Sequence, residues 1–180
     1  MVETLPASGR GLPFVGSAFW IWSAEGSHSA PAPAAASPSH YQVRYFRRSF
    51  SVAALPAKLE VSVSGDSRFL FYCNGQLIGR GPAKGDVNHQ FYDTYDLSAH
   101  LREGPNVLAA LVLDMSHVAH RPALLGAPCS VMTYTGGLAV EGALLAPDGA
   151  VLEDLATGAD WKVAVDRAYR FQNDDTRFEG

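Results

Sequence analysis

The chain of 180 residues is 47% hydrophobic and 18% charged, a composition that supports one globular domain with a real core and leaves a second full domain crowded out. Its formal net charge is −4 and its longest cationic run is Arg47-Arg48, which argues against a nucleic-acid partner or an anionic membrane surface. No stretch reaches the roughly 18 consecutive apolar residues of a membrane span, and "MVETLPASGRGLPF" lacks the basic start and apolar run of an export signal, so a cytoplasmic protein is expected.

Residues 1–17 read as an N-terminal extension. "AFWIWS", residues 18–23, reads as a short strand with Trp20 and Trp22 on one face and Phe19 and Ile21 on the other, so both faces need cover. Residues 24–40 are dominated by Ala, Pro and Ser, which build no core, and are expected as a flexible loop inside the domain. In "YQVRYFRRSFSV" the apolar set shifts parity from Tyr41, Val43 and Tyr45 to Phe46, Phe50 and Val52, which a β-bulge near Tyr45-Phe46 would explain. Leu59, Val61 and Val63 alternate as a half-exposed strand.

"RFLFYCNGQLIGRGP" reads as a hairpin cut at Asn74-Gly75, the dipeptide that most favours a two-residue type I′ turn. Its Gly79, Gly81 and Pro82 then turn the chain at the hairpin's end. A phosphate loop is not supported, because no amphipathic helix follows the glycines to aim its amides at an anion. "DLSAHLREG" holds about one helical turn, with Asp96 as its cap and Gly104 as its stop. "NVLAALVL" is apolar at every second position on both faces, as a central strand buried on both sides would be. A second hairpin is expected at Pro147-Asp148-Gly149 and a last strand from Trp161. About eight or nine short strands with Gly, Pro and Asn punctuation predict an all-β fold, an antiparallel β-sandwich with jelly-roll topology.

Catalytic chemistry finds little support. Glycoside hydrolysis needs two carboxylates facing each other across a cleft, but Glu60 and Glu141 lie in mid-strand, and Asp66, Asp86, Asp148, Asp160, Asp174 and Asp175 fall in turns, where Asp serves the backbone. Asp114, His117 and His120 have ligand chemistry for zinc but no helix to gather the imidazoles, so no metal site is assigned. Cys73 and Cys129 read as two buried thiols rather than a disulfide. Tyr92, Asp93 and Tyr95 combine aromatic faces with a carboxylate and are the candidate sugar-binding residues, set against the alternative that they fill a sandwich face. Trp20 and Trp22 are the candidate residues for a domain interface.

Taken in order, "FWIW", "YQVRYFRRSF", "AKLEVSVSGDSRFLFYCNGQLIGRGP", "FYDTYDLSAHLREGPNVLAALV" and "DWKV" resemble the N-terminal β-sandwich of bacterial α-L-rhamnosidase-type glycoside hydrolases. That domain is related to the galactose-binding-like jelly roll ahead of the catalytic domain in β-galactosidase-like enzymes. The resemblance spans most of residues 18–165. It implies a bacterial, non-catalytic accessory domain whose partner is a catalytic (α/α)6 barrel of the same parent chain, with residues 166–180 as a tail or linker toward that missing domain. A carbohydrate-binding module is the alternative it leaves open. It implies no catalytic residue here and no cofactor, although structural calcium is compatible with related jelly rolls.

Overall fold

In the computed structural model, which describes residues 2–4, 18–23, 42–83, 91–114 and 136–168, the alternation read above becomes two antiparallel sheets packed face to face. The loop expected at 24–40, Cys129, the pair His117 and His120, and the tail beyond residue 168 lie outside the described residues. Along the chain come β1 (Val2–Thr4), β2 (Ile21–Ser23), β3 (Gln42–Val52), β4 (Lys58–Asp66), β5 (Arg68–Cys73), β6 (Gln76–Gly81), β7 (Asp93–Asp96), β8 (Gly104–Asp114), β9 (Gly137–Leu145), β10 (Val151–Asp154) and β11 (Lys162–Val165). These eleven, among the described residues, exceed the eight or nine expected, partly because Val2–Thr4 of the N-terminal extension pairs with β2. Among the described residues no helix is long and apolar enough to cross a membrane.

The first sheet runs β1-β2-β9-β4-β7, with β10 also paired to β9; the second runs β11-β3-β8-β5-β6. Leu59, Val61 and Val63 of β4 and Leu138, Val140 and Leu144 of β9 meet Phe46, Phe69, Phe71, Leu108 and Val112 of the second sheet in one core, which also holds Trp22 and Trp161. Full burial of each such side chain favours folding by roughly 1.5–3 kcal/mol.

The bulge expected near Tyr45-Phe46 is absent. β3 pairs with β8 in unbroken register from Gln42↔Asp114 to Val52↔Gly104. Parity is kept because arginines occupy two inward positions. Arg44 is 2% exposed; its guanidinium lies 5.0 Å from the centre of the Trp22 ring, and its Nε donates to Ser23 Oγ at 2.9 Å. Arg48 reaches from the second sheet to Glu153 of the first at 2.8 Å. A guanidinium over the Trp22 ring and another paired with Glu153 explain how charged residues stand where the sequence suggests apolar ones. The irregular hairpin is instead β5–β6, where the register shifts between Phe71 and Tyr72.

Asn74-Gly75 forms the expected type I′ turn, with φ of 51° and 83° at its two central residues. The turn is tied to the rest of the sandwich by a second asparagine. Asn106, fully buried, donates through Nδ2 to the carbonyls of Arg102 (2.6 Å) and Gly104 (2.9 Å). Its Oδ1 accepts from the Arg102 N–H at 3.1 Å and from Asn74 Nδ2 at 2.8 Å. Asn74 Oδ1 in turn accepts the Val107 N–H at 2.9 Å. The helical turn expected after Asp96 is a 3-10 turn over Ser98–His100, and Asp96 Oδ1 accepts the Ser98 N–H at 2.9 Å. That hydrogen bonding to Ser98 holds the Asp96 carboxyl below the usual range.

Candidate functional site

β6 and β7 are edge strands of opposite sheets and pack against each other. Strand alternation sends Asp93 and Tyr95 of β7 toward β6 and Thr94 and Asp96 outward, where the Thr94 hydroxyl meets Ser62 Oγ at 2.9 Å. The Tyr95 ring stacks on Phe71, centroids 6.2 Å apart and planes 18° from parallel. Beneath it lies Gly79, where any side chain would collide with the phenol; beneath Asp93 lies Gly81, where a Cβ would run into the carboxylate and, at 2.9 Å, the Phe69 ring.

Gly79 and Gly81 therefore do not turn the chain at the hairpin's end, as the sequence suggests. They lie within β6, and neither has positive φ. Their lack of a side chain lets β7 close over an edge strand. The signal was present as two glycines spaced to share one face of a strand, but only the partner strand tells which face.

Asp93 Oδ2 is buried and accepts no hydrogen bond among the described residues. Burial accordingly pushes the Asp93 carboxyl above the usual carboxylate range. Tyr95 is pushed up as well, first by burial and then by the neighbouring Asp93 charge. The pair is a buried carboxyl and a phenol side by side over a glycine floor, packed against the Phe69 and Phe71 rings.

Tyr92 does not join them. One residue ahead of β7 and out of phase with Asp93, it is 41% exposed. The tryptophans also separate. Trp22 is 2% exposed inside the core, its ring 5.8 Å from that of Phe46, and so presents no surface of its own, whereas Trp20 is half-buried over Gly137. Cys73 is a buried free thiol, and burial raises its pKa. Among the described residues no group of three or more His, Cys, Asp or Glu is placed to hold a metal ion.

No family model and no curated protein matches the chain. Solved structures do. A GH78 family rhamnosidase of Bacillus sp. GL1 is 29% identical, with a TM-score of 0.57 over 83% of this chain and 13% of that one. The α-L-rhamnosidase of Streptomyces avermitilis, solved with L-rhamnose, is 18% identical, with a TM-score of 0.53 over 82% of this chain and 12% of that one. The Pleurotus ostreatus lectin is 20% identical, with a TM-score of 0.53 over 82% and 34%. The fold is thus an antiparallel β-sandwich domain. Its structural neighbours include α-L-rhamnosidases of family GH78, and the chain spans about an eighth of the length of the two described above.

Proposed function

We propose that this chain is a non-catalytic accessory domain of an α-L-rhamnosidase-type glycoside hydrolase, packing against the catalytic barrel of the same polypeptide and shaping its active site. The observation that carries this reading is the match of 83% of the chain to 13% of the Bacillus rhamnosidase at 29% identity. The reading takes residues 18–165 as a galactose-binding-like jelly roll and 166–180 as the linker to the barrel. It places the protein in a bacterial cytoplasm and calls for no cofactor. Supporting it, Glu60 and Glu141 stand on β4 and β9 of one sheet rather than across a cleft. The experiment is an activity assay with an aryl rhamnoside. The isolated chain should turn over none, and the longer polypeptide should lose activity or aggregate when residues 1–180 are deleted. Turnover by the isolated chain, abolished by changing one of its carboxylates, would sink the reading.

A second reading, a carbohydrate-binding module, is favoured by one specific observation, the exposed aromatic rings of Phe91 and Tyr92 just ahead of β7. The lectin fold match supports the same architecture. Micromolar binding of rhamnose to the isolated chain, together with a fully active truncated parent, would select this reading over the first.

A further inference from the structure

The outer faces of the two sheets differ in charge. On the first sheet the outward positions mix polar and apolar residues: Lys58, Glu60 and Ser62 of β4, Thr94 and Asp96 of β7 and Glu141 of β9 stand with Ala143 and Leu145 of β9 and with Val151 of β10, which is 66% exposed. Carboxylates are part of that face. The second sheet has none at its outward strand positions, and its apolar rows are longer. β8, expected to be buried on both sides, keeps Asn106, Leu108, Ala110 and Val112 in the interior, but its outward Val107, Ala109, Leu111 and Leu113 are only half-covered. Register continues the apolar surface across neighbouring strands. Tyr45, Leu111 and Leu70 form one row, and Ala109, Tyr72 and Leu77 the next. Tyr45 and Leu77 are each 43% exposed.

The same rows end in cations. Arg80 follows Leu70, Arg47 and Lys162 precede Ala109, and Arg68 flanks Leu113. No carboxylate stands at an outward position of these five strands. Arg47, Arg80 and Lys162 are exposed and make no ion pair among the described residues. A chain of net charge −4 thus carries an apolar patch with a mostly basic rim, where Asp166, just past β11, stands beside Val43.

We propose that the outer face of the β11-β3-β8-β5-β6 sheet is the docking surface for another domain of the same polypeptide, one with an apolar centre and a carboxylate rim. This rests on the accessory-domain reading and names the face it uses. Charge complementarity selects the occupant, since rim charges set partner and orientation around an apolar centre. A second copy docked face to face would set the basic rim against itself. Docked instead on the first sheet of another copy, the patch would make a head-to-tail contact that closes only into a ring or else grows into a filament.

Hydroxyl-radical footprinting tests this on the isolated chain and on the longer polypeptide. Tyr45, Leu70, Tyr72 and Leu111 should be labelled about tenfold more slowly in the longer polypeptide, as residues moved from half-exposed to an interface core, while Phe91 and Tyr92 are labelled equally in both. Combining Arg47→Glu, Arg80→Glu and Lys162→Glu, all at exposed positions, should restore labelling of the patch. Equal labelling of the patch in the two proteins overturns the proposal, as does protection already present in the isolated chain through self-association. Rhamnoside hydrolysis by the same longer polypeptide separates the two claims. A protected patch without hydrolysis rejects the glycosidase reading and leaves the docking face, and hydrolysis with an unprotected patch does the reverse.

Discussion

Asn106→Ala should lower the unfolding free energy by about 2–3 kcal/mol. The side chain makes four hydrogen bonds, two donated to the Arg102 and Gly104 carbonyls and two accepted from the Arg102 N–H and Asn74 Nδ2. At a net contribution of about 1 kcal/mol each they sum to about 4 kcal/mol. Two considerations reduce that sum. Arg102 is exposed, so water can reach its freed backbone groups, and Asn74 Nδ2 keeps its bond to the His100 carbonyl at 2.9 Å. Urea unfolding followed by tryptophan fluorescence is the assay. With a slope of about 2 kcal/mol per molar, the midpoint should fall by about 1–1.5 M. Asn106→Asp should be at least as damaging at neutral pH, because it sets a carboxylate against two carbonyl oxygens in a buried site. A midpoint shift below about 0.3 M for Asn106→Ala, with the slope unchanged, would refute the claim that this network holds the turn and the start of β8 together.

Gly75→Val should cost roughly 1–3 kcal/mol in the same assay. A Cβ at Gly75 meets nothing within 4 Å, so the whole cost is conformational, and Gly75→Asn should recover most of it. Gly81→Ala should destabilise by about 1–3 kcal/mol through collision with Asp93 and Phe69; an unchanged midpoint would mean that β7 shifts freely over β6. Asp93 makes stability depend on pH in a definite sense. Its folded pKa lies above the unfolded value, so the folded state holds the proton longer, and stability falls as pH rises through the carboxylate range. Asp93→Asn should therefore stabilise the domain at neutral pH, and the gain should vanish at a pH below the unfolded carboxylate pKa; a gain equal at both pH values would contradict the desolvation argument. Calorimetry with rhamnose or galactose should find the isolated chain binding no tighter than about 1 mM, near −4 kcal/mol, and a micromolar constant would contradict that expectation.

The local features were legible in the sequence because their causes are local. Asn74-Gly75 makes a type I′ turn since those residue types tolerate positive φ, and Asp96 bonds the amide two residues on as a short carboxylate does before a helical turn. The strands of β4 and β5 followed from alternation, and the all-β class followed from their number. Of the candidate site, the residue types were legible and their grouping was not. Asp93 and Tyr95 share a face by strand parity, which also detaches Tyr92, but their burial depends on β6 of the other sheet having glycines at 79 and 81. Parity misled at β3, where inward Arg44 is acceptable only because Trp22, far away in sequence, lies against its guanidinium. The apolar run of β8 suggests burial on both sides, since composition records which faces are apolar and not whether anything covers them. Cover depends on which strands and sheets meet, through contacts between residues distant along the chain, and tertiary structure decided it.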